Sequence, residues 1–277
     1  MLAKSGVLLA LALLVAGFGG IERAFAPKAE LWARWTAADE TSTLGVDHGD
    51  WDEFLRKYAK SDNAGYNLVA YGTVTAADRR ALDAYIARLA DSPVGRLARP
   101  EQLAYWINLY NALTVKVILD HYPVKSIRDI DISPGLFSDG PWGRKLIEVS
   151  GQPVSLNDIE HRILRPIWRD ARLHYTLNCA ALGCPNLPPR AFSASQTDAM
   201  MTAAARAYIN SPRGARRSGE QLIVSSIYDW YIADFGGDEA GIVDHLRRFA
   251  DPPLLKMLED PGPLAASYDW ALNEARE

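Results

Sequence analysis

A mostly helical α+β domain, built around one buried helix at about residues 100–122, is the fold this sequence predicts. Three observations carry the expectation. A long stretch with apolar residues on nearly every side is bounded by Pro100, which suits a first helical turn, and by Pro123, which ends the helix. Several other segments place apolar residues at helical spacing behind a capping residue. The alternating runs are short and broken by Ser-Gly turns, which makes small hairpins rather than one large sheet.

Taken in order, residues 1–26 read as a secretory signal or N-terminal anchor. Lys4 precedes an apolar run from Gly6 to Gly20, and Ala24-Phe25-Ala26 has small residues where a signal peptidase reads them. The run is shorter than the roughly 20 apolar residues a membrane-spanning helix needs. Pro27 is a poor first mature residue, so retention as an anchor stays open beside cleavage. Residues 27–44 form an extended lead-in. Asp50 opens a helix carrying Trp51, Phe54, Leu55 and Tyr58; Asn67–Tyr71 is a strand or a loop; Thr75 caps a helix with Leu82, Tyr85, Ile86 and Leu89 on one face. After the central helix come a loop from Ile127 to Gly143 and a hairpin of Lys145–Val149 with Pro153–Val154. Ser155 then opens a helix, with Asp158 completing a capping box. Arg172–Leu177 alternates as a strand would. Helices follow at 194–209, 228–235 and 240–249, with a hairpin over 216–225 turning at Ser218-Gly219. The tail 251–277 is expected to be ordered only in part.

With 277 residues, eight Trp and twelve Tyr, the chain can bury a large core. Its net charge of −4 gives it no general attraction to nucleic acid or anionic lipid. An exported chain with two cysteines and nothing else for either to pair with is expected to bridge them. The absence of CxxC and of a second Cys/His cluster argues against a metal site, and no motif calls for a cofactor.

The chemistry-bearing residues concentrate in three motifs. In Leu173–Pro185 stand both cysteines and His174. Cys179 and Cys184 make a turn-stiffening disulfide, or Cys179 is a nucleophile activated by His174 or His161. The two can coexist as a redox-active pair, although the spacing is not that of thiol–disulfide oxidoreductases. Asn178 either caps the turn or donates to an oxyanion. In Ile159–Arg165, Glu160 and His161 are adjacent and so lie on different faces of an α-helix, one toward a pocket and the other toward solvent, whereas His161 and Arg165 share a face. In Tyr105–Thr114, Asn108, Asn111 and Thr114 stand three apart on an apolar helix. Buried amides need partners, so they bond loop backbone or line a polar pocket beside the cysteines.

Trp106-Ile107-Asn108-Leu109-Tyr110-Asn111-Ala112, Ile159-Glu160-His161-x-Ile163-Leu164-Arg165 and Arg172-x-His174-Tyr175-x-Leu177-Asn178-Cys179 occur in that order. With Cys184-Pro185 and Trp230-Tyr231-x-x-Asp234-Phe235, this set resembles the DUF547 family over about residues 45–250, with no departure from its motifs. The resemblance implies an exported bacterial form of a family also found in plants, and a fold without an assigned activity. The function expected from the residues is a periplasmic or secreted thiol-dependent hydrolase or acyl transferase using Cys179, with His174, His161 and Glu160 as acid–base candidates. Asn178, Asn108 and Asn111 are its oxyanion or pocket candidates. The alternative is a non-catalytic envelope module with a structural Cys179–Cys184 bridge. Either would take a peptide, glycan or small-molecule ligand.

Overall fold

The structure, a computed structural model, describes residues 16–17, 20–135 and 140–275. The apolar run Gly6–Gly20, read as a signal or anchor, falls largely outside the described residues, as does the tip of the loop 127–143. Among the described residues no helix is long and apolar enough to cross a membrane.

The central helix is Arg99–His121, with Pro100 in its first turn. Nearly every side chain from Gln102 to Leu119 is buried, as expected of a helix apolar all round. Around it pack helices Gly49–Tyr58 and Ala76–Ala90. Thr75 caps the second, its hydroxyl accepting from the Asp78 N–H at 3.1 Å. The first starts one residue before Asp50, because Asp47 rather than Asp50 takes the free Gly49 N–H. Two small hairpins, Ala59–Ser61 with Asn67–Val69 and Ile147–Val149 with Gln152–Val154, close this larger core.

A second core gathers Tyr175, Tyr208, Tyr228, Phe235 and Leu246. It lies among helices Thr197–Ile209, Ser226–Trp230 and Glu239–Phe249. The hairpin Ala215–Ser218 with Gln221–Ser225 belongs to it, extended by Leu264–Ser267 running parallel to the latter strand and by Ala16–Gly17 at the far edge. The tail is therefore part of the fold, contrary to expectation. It contributes helix Pro252–Glu259 and a sheet strand, and Asn273 is buried with its backbone N–H on Ala180 O at 3.1 Å.

Two local expectations are corrected. Arg172–Leu177 is not a strand: Ala171–Tyr175 is a 3-10 turn, opened by Asp170, whose carboxylate takes the Arg172 N–H at 2.9 Å. The segment after Ser155 has the expected capping box, with Ser155 and Asp158 bonding each other's backbone N–H. It then winds as a π-helix, Asp158–Leu164, before one α-turn Arg165–Trp168. The Arg165 N–H reaches back five residues to Glu160 O. A wider turn steps less per residue, so neighbours in sequence diverge less around the axis.

Candidate functional site

The π-turn carries two of the site residues. Glu160 and His161, which an α-helix would have turned apart, are both buried and both line one cleft of about 570 Å³. The 3-10 turn brings His174 to the same cleft, and the loop behind it brings Cys179 and Cys184. All four catalytic candidates thus meet in one place. Tyr110 of the central helix, Trp142, Trp230, Tyr231, Tyr268 and Trp270 form its aromatic walls. Trp230 and Trp270 stack 5.6 Å apart, and Tyr268 sits 4.8 Å from each. The aromatic segment Tyr228–Phe235 is divided: Tyr228 and Phe235 are core, whereas Trp230 and Tyr231 face the cleft.

The sequence reading missed Asp234, which organises the polar groups. Its Oδ2 accepts from His174 Nε2 at 2.7 Å and from Arg165 Nε at 2.6 Å. Burial pushes the Asp234 carboxyl up, but the hydrogen bonds and charges of His174 and Arg165 outweigh it and hold the group well below the usual carboxylate range. A carboxylate only accepts, so His174 carries a proton on Nε2 and turns Nδ1 toward Glu160, 3.8 Å from Oε1. The His174 ring is stacked on Tyr231 at 4.6 Å, with the Arg165 guanidinium over the same tyrosine at 4.4 Å.

His161 is held differently. Arg165 Nη1 donates to its Nδ1 at 2.9 Å, the i,i+4 meeting the sequence suggested. Burial lowers its pKa to about 4, against the pull of Glu160, so it is a neutral imidazole with its proton on Nε2. With Nδ1 occupied, His161 cannot give Glu160 a proton across the 3.9 Å between them. Of the two candidate bases, His174 is the one that addresses Glu160. Tyr110, whose pKa burial and the Glu160 charge drive far up, faces Glu160 from the central helix.

Cys179 and Cys184 form a disulfide with Cα atoms 6.0 Å apart, so Cys179 is not a free thiol here. The Tyr268 hydroxyl lies 3.0 Å from Cys179 Sγ and 3.1 Å from Cys184 Sγ.

The expected oxyanion donors bond the backbone of neighbouring loops. Asn108 bonds both backbone groups of Phe192, at 2.8 and 3.0 Å. Asn111 donates to Thr176 O and accepts from the Asn178 N–H, and Thr114 bonds Tyr110 O within the helix. Asn178 spans the cysteine loop to Pro185 O at 2.7 Å, while its oxygen takes the Ala180 N–H. These contacts build the loop, and none of the three asparagines is among the side chains lining the cleft. The N-terminal segment crosses the mouth of the cleft: Glu22 accepts from Trp230 Nε1 at 3.1 Å, Arg23 pairs with Asp229, and Arg165 Nη1 donates to Pro27 O at 2.9 Å. Among the described residues no group of three His, Cys, Asp or Glu is placed to hold a metal ion.

Fold and site together define an α+β domain with an aromatic cleft, a buried carboxyl–imidazole cluster and a disulfide in its wall. Residues 94–209 match the model of the DUF547 family, described as a protein of unknown function. The matched span runs from the turn before the central helix to the end of helix Thr197–Ile209. It contains Glu160, His161, Arg165, His174 and both cysteines, and stops short of Asp234 and the tail aromatics. No curated protein and no solved structure matches the chain.

Proposed function

We propose that the cleft is the working site of the domain and that it performs acid–base chemistry, of the hydrolase or transferase kind, on a ligand stacked against its aromatic wall. Glu160 exchanges the proton and His174 steadies its carboxyl. The observation that supports this is the single orientation of His174: Asp234 holds Nε2 at 2.7 Å and leaves Nδ1 toward Glu160. A core histidine needs only one backbone partner, whereas this one is set between two carboxyls in an open cleft. The test is turnover of ester, amide and glycoside panels by the wild type and by Glu160→Gln. General acid–base catalysis contributes roughly 100-fold or more, so a loss of that size with the fold intact is expected. Turnover indifferent to Glu160→Gln would remove the proposal. Binding of a peptide or glycan without any turnover would favour the non-catalytic module.

A second reading is favoured by Cys179 sharing the cleft with His174. Here Cys179 is the nucleophile of a thiol-dependent hydrolase or acyl transferase, silent while bridged to Cys184. It requires turnover that appears on reduction and vanishes in Cys179→Ser. We propose also that the chain is exported, which the disulfide suits. Cleavage after Ala26 would take Glu22, Phe25 and Ala26 off the mouth of the cleft, leaving Pro27 on Arg165.

A further inference from the structure

Hydrogen bonds hold the cysteine loop alongside its disulfide. Leu182 and Gly183 donate to the tail at Ala271 O and Asp269 O, at 2.7 and 2.8 Å, and Cys184 N–H closes the turn on Ala181 O. Tyr208 Oη donates to Gly183 O at 2.6 Å, and Arg213 Nη1 to Cys184 O at 2.8 Å. With Asn178 across the base, hydrogen bonds hold every part of the loop. A bridge over so few residues constrains the unfolded chain little.

The two sulfurs are placed unequally. Cys184 is buried, 1% exposed, while Cys179 is partly open and both face the cleft. A thiol entering the cleft meets Cys179 first. The Cys179 N–H points at Cys184 Sγ alone, at 2.9 Å, and the single Tyr268 O–H lies between the two sulfurs, 3.1 Å from Cys184 and 3.0 Å from Cys179, free to donate to whichever becomes a thiolate. A disulfide sulfur is a weak acceptor and gains little from them, whereas a thiolate gains much. The Arg213 guanidinium on the Cys184 carbonyl adds a positive charge nearby. Burial keeps Tyr268 protonated far above neutral pH, so its hydroxyl stays a donor.

We propose that Cys179–Cys184 is an exchangeable disulfide, opened by a small thiol that enters the cleft and attacks Cys179, with Cys184 as the leaving thiolate. The incoming thiolate sulfur bonds Cys179 Sγ, the Cys179–Cys184 bond breaks, and its electron pair leaves on Cys184 Sγ. A second thiolate attacks the sulfur of the added thiol and releases Cys179 as a thiolate, which takes a proton. Two thiols are oxidised to one disulfide and the protein disulfide is reduced to two thiols. The proposal needs only the loop and its donors, not the acid–base role of Glu160.

Glutathione is the probe, used on the native full-length chain with alkylation and mass spectrometry as the readout. The bridge is expected to open in glutathione buffer while the tryptophan fluorescence of the folded protein is unchanged. In Cys184→Ser, oxidised glutathione should modify Cys179 at least ten times faster than it modifies Cys184 in Cys179→Ser. Tyr268→Phe, which removes one hydroxyl, should move the pH midpoint of Cys184 alkylation in the reduced protein upward and slow the opening. A bridge that opens only as the protein unfolds would overturn the proposal. So would glutathione attachment at Cys184 in preference to Cys179, or a Cys184 midpoint indifferent to Tyr268→Phe. None of these outcomes depends on Glu160→Gln.

Discussion

The central helix and the cleft each bury a set of polar side chains, and the two sets are bonded in opposite ways. On the helix, Asn108 and Asn111 each form a two-way clasp with loop backbone, one on Phe192 and the other on Thr176 and Asn178. In the cleft, His161, Arg165, His174 and Asp234 bond to one another, Arg165 also reaches Pro27 O, and the Glu160 carboxyl faces both imidazoles at 3.8 and 3.9 Å. A side chain that satisfies backbone fixes a loop at a required position. Side chains that satisfy one another leave protons and charges free to redistribute. The difference separates scaffold from chemistry in one buried region, and it predicts which substitutions harm the fold and which harm only function.

The largest expected effect on stability belongs to the scaffold. Asn111→Ala leaves the Thr176 carbonyl and the Asn178 N–H without their partner, both fully buried at the base of the cysteine loop. At 1–3 kcal/mol for each orphaned group the loss is about 3 kcal/mol. For a chain of this size that is a fall in Tm of roughly 6–12 °C, read by calorimetry. A loss below about 1 kcal/mol would break the comparison, because Asn111 would then not be scaffold.

The cleft should show itself in the pH dependence of stability instead. His161 is lowered to about 4 by burial, so between that value and the ordinary 6.5 the unfolded chain binds a proton that the folded chain does not. Its contribution is complete above pH 6.5 and is lost as pH falls from 6.5 to about 4. His48 and His245 are lowered to about 4 by the same cause, and the three share this limb. His161→Gln is expected to flatten it by about one third, on equal weights for three groups of like shift. Asp234 acts in a different window. Its carboxyl, held down by His174 and Arg165 against the opposing effect of burial, contributes stability that is complete above its ordinary value of 3.8 and lost as pH falls below it. Asp78, Asp158 and Asp39 are held below their ordinary value as well, so Asp234→Asn should shrink that second limb without removing it and leave the one above pH 4 in place. Denaturant melts from pH 7 to pH 2 read both, and a single limb abolished by either substitution would show the two groups to be one coupled unit.

Much of the fold was legible before any coordinates, because caps and prolines act locally: Thr75, the Ser155–Asp158 box, Pro100 and Pro123 each operate within a turn. The cysteine pair was legible because the chain holds no other cysteine. Asp234 was not. It reaches His174 across 60 residues, and its motif of Trp230, Tyr231 and Phe235 looks like core from its apolar content. The π-turn was hidden as well, because Ile159, Ile163 and Leu164 fit α spacing although Asp158–Leu164 winds as a π-helix. Arg172–Leu177 was misread since a 3-10 turn of five residues is too short to display its period against an accidental alternation.

The smallest effect on stability, and the sharpest test of the comparison, is Glu160→Gln. Glu160 is a buried carboxyl whose imidazole neighbours stand at 3.8 and 3.9 Å, beyond hydrogen-bond range, with Tyr110 beside it. Glutamine keeps the volume and a polar oxygen in the same place, and it removes the carboxyl's proton exchange. A scaffold carboxyl would be missed; one kept for chemistry is tolerated by the fold rather than required by it. The expected change in stability is therefore within about 0.5 kcal/mol of zero or slightly favourable, while turnover falls as proposed. Were Glu160→Gln instead to cost as much as Asn111→Ala, the carboxyl would belong to the scaffold. The cleft would then be a binding surface framed by its aromatic wall, with His174 and Asp234 serving to hold the 3-10 turn beneath it.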